Sequence, residues 1–322
     1  MSHQPVIDIH AHYRYPGQEF VPPPSWVSEE RRRDQLRHDE ILRSFDRIVE
    51  VAEQVGVDTR VLSLPAASRF ADYDTAPARP KEIAELNDYL AGGVRDHPGR
   101  LLGLATVDAF DGERAAAETR RAVEELGLSG IVVDSARADT FLGAPETVPT
   151  LAEAARLGVP VFVHPTGTSL TPALIAQAGQ LGSSYGRGLA NGVALLSLIH
   201  RGLLDSIPGL RIVFTTLGIG ALGIAGVWRA RGGLAAADGR WQVSFDTMGF
   251  DPQNVAFLVS VLGADRVLLG SDFPHQVDAD PQRVANALDG AGLSPTDQAL
   301  VRGGNAAKLL HRRPAAVPAA AG

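Results

Sequence analysis

The chain has 322 residues, of which 45% are hydrophobic and 21% charged, so it can bury a sizeable core and is not globally disordered. A formal net charge of -7 opposes a general nucleic-acid binder, and 0 Cys excludes disulfides, thiolate zinc sites, iron–sulfur clusters and cysteine nucleophiles. No apolar run reaches spanning length, and residues 1–20 lack a basic start before an apolar core; the expectation is a cytoplasmic protein with neither a membrane nor a nucleic-acid partner.

The first strand is predicted over Pro5–His12, where Val6, Ile7 and Ile9 are apolar. A helix follows over Asp34–Val55, with Leu42, Phe45, Val49 and Ala52 at helical spacing and Gly56 as its stop. Arg60–Leu64 reads as strand two, Pro80–Val94 as a helix and Leu101–Val107 as strand three. Gly112–Leu126 is helical up to Gly127, and Gly130–Asp134 is strand four. Thr147–Leu157 is helical up to Gly158, and Pro160–His164 is strand five. Residues 165–190 are assigned to a long loop, merging into a broken helical stretch that runs to Leu204. Arg211–Thr216 is strand six, Ile219–Ala230 a helix, Trp241–Asp246 strand seven, Pro252–Leu262 a helix and Arg266–Asp272 strand eight. Helices fill most of the rest to His311, and Arg312–Gly322, rich in Ala and Pro, is expected to be a disordered tail.

Eight strands alternating with helices predict an α/β protein: a single (β/α)8 TIM barrel over residues 1–311, somewhat longer than the roughly 250 residues typical of one. A doubly wound open sheet is the alternative, weakened because no G-x-G-x-x-G follows strand one. The extra length falls in long βα loops after strands 1, 2 and 5, at residues 13–33, 65–80 and 165–190. All three lie at the end where barrels build active sites.

His10 and His12 stand two apart on strand one, so period two sends both to one face, the barrel interior. His164 ends strand five and Asp272 ends strand eight, each after an apolar run. Three imidazoles and one carboxylate make a ligand set for one divalent metal with room for a water; zinc suits it best, and manganese or iron is compatible. An H-x-H pair alone reads equally as two hydrogen-bonded core histidines. Delivery of polar groups by strands one, five and eight to the same end favours the metal. Asp8 shares the parity of the pair, as a tie within the barrel or a partner of a ligand imidazole, and Asp246 at the end of strand seven is open in the same way. Tyr13 and Arg14 are candidates to face a substrate. Arg31-Arg32-Arg33 reads as a solvated helix start that could attract an anionic one.

Five segments carry a resemblance: Ile7-Asp8-Ile9-His10-Ala11-His12, Val161-Phe162-Val163-His164-Pro165, the run Gly202 to Val213, Leu268-Leu269-Gly270-Ser271-Asp272-Phe273-Pro274-His275, and Gly304-Asn305-Ala306-Ala307-Lys308-Leu309-Leu310. Together they resemble the amidohydrolase superfamily, in the branch typified by aminocarboxymuconate-semialdehyde decarboxylase, over nearly the whole chain and in the expected order. The resemblance implies that His10, His12, His164 and Asp272 are metal ligands, that Asp272 also handles protons, and that the protein is a homodimer. The branch usually carries a histidine at the end of strand six, before a glycine-rich turn. Here Phe214-Thr215-Thr216-Leu217-Gly218-Ile219-Gly220 puts Thr216 in that place. A threonine hydroxyl donates a hydrogen bond but is no base near neutral pH. His275, three residues beyond Asp272, either supplies an imidazole from the adjoining loop or is a structural loop residue. Many binuclear members bridge two metals with a carboxylated lysine on strand four. In this chain that strand ends in Asp134, and the only lysines are Lys81, opening a helix, and Lys308, near the terminus. One metal is expected.

The main functional reading is a mononuclear metal-dependent enzyme that hydrolyses a small carbonyl-containing substrate through a metal-activated water, with Asp272 taking or relaying the proton. Three alternatives stay open. One is a non-oxidative decarboxylase of a small unsaturated or aromatic carboxylic acid. The others, prompted by Thr216, are a hydratase or isomerase variant and a non-catalytic barrel that keeps its ligands.

Overall fold

A strand covered on both faces needs apolar residues at both parities, and the short β-branched runs of this chain supply them. The computed structural model describes residues 5–17, 27–69, 79–230, 242–274 and 280–310. Its main sheet has eight strands in chain order: β1 Ile7–His12, β2 Thr59–Ser63, β3 Leu101–Thr106, β4 Gly130–Asp134, β5 Val161–His164, β6 Arg211–Phe214, β7 Gln242–Asp246 and β8 Val267–Leu268. Neighbours pair in parallel; Asp134 lies opposite His164, for example. The two ends of the sheet then meet. The Ile9 N–H donates to the Leu269 carbonyl at 2.9 Å and the His12 N–H to that of Phe273 at 3.0 Å. These bonds make the predicted (β/α)8 barrel and separate it from an open doubly wound sheet.

Two apolar layers share the barrel wall. Inside, Ile7, Ile9, Val61, Leu104, Val132, Phe162, Val213 and Leu268 fill the amino-end half, closed below by Ala306 and Leu310 of the helix Asn305–Leu310. Fully burying one such side chain contributes roughly 1.5–3 kcal/mol. Outside, residues such as Leu62, Val133 and Val163 pack under the helices.

Several boundaries differ from the sequence expectation. The helix predicted over Asp34–Val55 is two, Glu29–Leu42 and Phe45–Gln54, because the Ser44 hydroxyl accepts the Arg47 N–H and caps a new start. Strand eight is shorter than predicted: at Leu269 the N–H turns to the Val301 carbonyl at 2.9 Å, leaving the ladder. The stretch 165–190 is not a loop throughout, since a helix spans Thr171–His200 with a break at Gly179 (φ 53). Its first turns fold back so tightly that a Cβ on Gly182 would lie 2.1 Å from the Leu174 carbonyl oxygen. After β2 a short helix forms at Ala66–Arg69, and after β4 an unpredicted antiparallel ribbon pairs Ala136–Arg137 with Thr140–Phe141. Pro22, Pro23, Pro24, Trp26 and the tail Arg312–Gly322 lie outside the described residues. Among those described, no helix is long and apolar enough to cross a membrane.

Candidate metal centre

The carboxyl ends of β1, β5 and the segment after β8 bring His10, His12, His164 and Asp272 together. All four are buried, and one ligand atom from each can be chosen so that all lie within 4.8 Å of one another. The three imidazole centroids are 5.2, 5.3 and 5.8 Å apart. Asp272 Oδ1 stands 3.0 Å from His12 Nε2 and 3.3 Å from His10 Nε2. Asp272 itself has φ 59, a left-handed backbone that Asp tolerates better than most residues and that turns its carboxylate out of the strand direction.

Two of the rings are oriented by hydrogen bonds at the nitrogen facing away from Asp272. The His10 Nδ1–H donates to Asp246 Oδ2 at 2.7 Å, and the His12 Nδ1–H donates to the Ser63 carbonyl at 3.1 Å. Both partners act as acceptors, which assigns the proton to Nδ1 and leaves each Nε2 lone pair facing the cluster. His10 Nε2 and His164 Nδ1 are buried with no hydrogen-bond partner among the described residues. Orphaned lone pairs in a dry site are costly unless something binds them. The donor set therefore fits one divalent cation, and nitrogen with carboxylate oxygen suits zinc, manganese or iron. Burial pushes the His164 imidazole well below the usual range and the neighbouring His12 and His10 push it further, which favours the neutral form that binds metal. Burial acts the same way on His10, but the carboxylates of Asp272, Asp246 and Asp8 outweigh it and raise that ring.

Asp246 is the residue whose role the sequence left open, and it organises the wall behind His10. Besides His10 it accepts the backbone N–H of Thr216 at 2.8 Å and of Met248 at 3.1 Å. The Thr216 hydroxyl lies against the same residue, bonded to its backbone carbonyl and 3.2 Å from Oδ1. Thr216 thus acts on Asp246, and through it on His10. Gly270 is needed beside them: a Cβ there would meet Asp246 Cβ at 2.8 Å and His10 Cβ at 3.0 Å.

Other candidates lie elsewhere. Tyr13 is 1% exposed and packs between Phe45 and Tyr89 under the helices, not at the cluster. Arg14 is in an ion pair with Asp39 at 2.7 Å, which occupies the cation expected to meet substrate. Asp8 is a tie across the barrel seam: it accepts the Ser271 hydroxyl at 2.6 Å and the Ser271 N–H at 3.0 Å. Burial raises its carboxyl above the usual range, against the opposing pull of Arg60 and Ser271. Asp134 accepts the Ala67 N–H at 3.1 Å. Lys81 and Lys308 sit on the helices Pro80–Asp96 and Asn305–Leu310, away from the ligand group. His275 lies outside the described residues.

Residues 7–312 match the amidohydrolase family. The chain belongs to that family. This amidohydrolase-family chain is an enzyme of the metal-dependent hydrolase or carboxy-lyase kind. It is 28% identical over 317 residues to a gamma-resorcylate decarboxylase of Polaromonas sp., covering 90% of this chain and 92% of the relative. A 2-amino-3-carboxymuconate-6-semialdehyde decarboxylase of Dictyostelium discoideum is 28% identical over 274 residues, covering 79% of this chain and 73% of that one. Among solved structures, 2,6-dihydroxybenzoate decarboxylase from Rhizobium superposes with a TM-score of 0.77 at 23% identity, covering 96% of this chain and 99% of its own. A dihydroxybenzoic acid decarboxylase from Polaromonas sp., solved with bound manganese and the inhibitor 2-nitroresorcinol, superposes at 0.75 with 23% identity and covers 96% and 97%. These last two likenesses establish the fold.

Proposed function

We propose that this chain is a metal-dependent non-oxidative decarboxylase of aromatic carboxylic acids. The observation that carries the reading is the make-up of the cluster: one carboxyl group, Asp272, stands among three imidazoles, while position 216 is a threonine spent on Asp246. Decarboxylation needs one proton delivered to one carbon. Hydrolysis, the main reading from sequence, needs a water deprotonated and a leaving group protonated. The two decarboxylases that this chain matches over most of their length support the same choice. Hydrolysis therefore gives way to the carboxy-lyase alternative.

His10, His12, His164 and Asp272 would hold one divalent ion, whose charge, when bound, would orient an anionic substrate beside Asp272. Asp246 fixes His10 through Nδ1, and the Ser63 carbonyl fixes His12, so the ligand geometry is set before substrate arrives. Phe162, with its ring 4.9 Å from that of His10, walls the site off from below. Protonated Asp272 delivers its proton to the ring carbon bearing the carboxylate. The bond from that carbon to the carboxylate then breaks, its electron pair restores the aromatic ring and carbon dioxide leaves. Arene carboxylate plus one proton becomes arene plus carbon dioxide, with no oxidant involved.

The working form is proposed to be a homodimer. Leu181 (77% exposed), Tyr185 (66%) and Leu189 recur every fourth residue on one helix face, beside exposed Ile224 and Val227 on the helix Gly220–Ala230, and such a patch favours burial against a second copy.

The test is turnover of 2,6-dihydroxybenzoate by manganese- or zinc-loaded protein in deuterated water. The expected result is release of carbon dioxide and a dihydroxybenzene carrying one deuterium at the former carboxyl position. Turnover confined to esters, lactones or amides, with oxygen from labelled water in the product and no carbon dioxide from any aromatic acid, would return the chain to the hydrolases.

A further inference from the structure

The helix Thr171–His200 has thirty residues, and Arg187 is the one Asp, Glu, Lys or Arg among them. A lone guanidinium on an otherwise uncharged helix has no counter-charge on its own element. Neither a salt bridge nor a hydrogen bond of its side chain is found among the described residues, and its Nε is buried without a partner. Among the described residues it has no anion for the planar fork of its guanidinium.

Its surroundings fix where it stands. Gly186, just before it, is pressed against Thr171 at the end of the segment leaving His164; a Cβ there would lie 2.9 Å from Thr171 Oγ1. Gly188, just after it, is pressed against the turn following β6; a Cβ there would lie 2.6 Å from the Leu217 carbonyl oxygen. One helical turn on, Asn191 Nδ2 donates to Thr215 Oγ1 at 2.8 Å, next to Thr216. Residue 187 therefore occupies the seam between the segments that follow β5 and β6, over the mouth that His164 and Thr216 border. Tyr185, two residues earlier and so about 200° around the helix, points to solvent. The Arg187 charge is also felt at the His164 ring.

We infer that Arg187 is a substrate-anchoring residue, which receives the carboxylate of an aromatic acid at the mouth of the barrel. The inference rests on the decarboxylase reading for its substrate class. It adds a specific consequence. The carboxylate loses its charge as carbon dioxide forms, so an ion pair to it is stronger with bound substrate than in the transition state. Arg187 then sets affinity and orientation more than the rate of the chemical step.

The experiment compares wild type with Arg187→Gln and Arg187→Lys, all metal-loaded and matched for metal content and melting temperature. Binding of 2,6-dihydroxybenzoate and of resorcinol, which has the same ring without the carboxylate, is measured by calorimetry. Arg187→Gln is expected to weaken the acid by about 10- to 100-fold, the scale of a charge-assisted hydrogen bond, and to leave resorcinol unchanged, with Arg187→Lys between. Equal affinity of wild type and Arg187→Gln for the acid overturns the assignment, as does failure of wild type to prefer the acid over resorcinol. Carbon dioxide release is scored separately: selective loss of acid binding without turnover in wild type sinks the decarboxylase reading and leaves Arg187 as the anion anchor.

Discussion

The two ends of the barrel are built on opposite principles. The amino-end floor is a plug of aliphatic and aromatic side chains in which Ile9, Val61, Leu104, Val132 and Val213 are all essentially inaccessible. The carboxyl-end rim, a few residues further along the same strands, is also buried but polar: His10, His12, His164, Asp246 and Asp272, of which His10 Nε2 and His164 Nδ1 have no hydrogen-bond partner among the described residues. The floor is satisfied by its own packing. The rim leaves two ring nitrogens open to something else. Stability and chemistry are thus separated along one axis, and residues two positions apart on a strand can belong to different regimes.

The sharpest break in that contrast is Asp272→Asn, which removes both a ligand oxygen and the proposed proton donor. Turnover per folded molecule is expected to fall by about 1,000-fold or more, with the melting temperature of the metal-free protein little changed. Steady-state assays paired with thermal melts check this; a variant that keeps near-wild-type turnover would remove Asp272 from the chemistry. Leu104→Ala is the mirror experiment on the floor. It should cost about 2–5 kcal/mol of stability in urea unfolding while leaving metal content and turnover of the folded fraction intact.

Asp246→Ala probes the boundary between the two. It frees His10 Nδ1 and the Thr216 N–H together, and metal affinity should drop by about 10- to 100-fold, read by competition with a chelator. A smaller effect is expected far from both ends, at Glu153. Hydrogen bonds from Arg156 first, then Arg120, hold its carboxyl below the usual range. A depressed folded-state value means that the contribution is complete above about pH 4.5, the ordinary glutamate value, and fades as pH falls through the folded value. Because the arginines are half exposed, the gain is of the order of 1 kcal/mol or less. Melts of Glu153→Gln and wild type should converge at low pH and separate towards neutrality.

Much of the rim was legible in the sequence because its signals are periodic. His10 and His12 at spacing two, His164 closing Val161-Phe162-Val163, and Asp272 after an apolar run each stand out as polar groups at a strand end, and all four converge in the fold, although a register shift between Asp8 and Ala11 interrupts the alternation of β1 and lets Ile7 and Ile9 face the interior as well. What periodicity could not assign was decided by tertiary contact. Tyr13 follows the ligand pair directly, yet it turns into the aromatic layer with Phe45 and Tyr89, because β1 has ended by that point. Gly182, Gly186 and Gly188 lie in the stretch assigned to a loop, yet they are close-packing positions within a helix. Thr216 read as a lost histidine, yet it is the residue that holds Asp246. Arg187 went unremarked in the sequence, because the stretch around it was assigned to a loop, and it stands out only once that stretch is a helix with no other Asp, Glu, Lys or Arg.

The barrel seam has one further consequence. Asp8 and Ser271, 263 positions apart, are joined side chain to side chain, and β1 meets the chain beyond β8 through backbone bonds. Two of the proposed ligands thus arrive with the first strand and one just beyond the last, and the four come together only when the ring closes. On the proposed metal-centre reading, the full ligand set is therefore available only after the segment around residue 272 has been made.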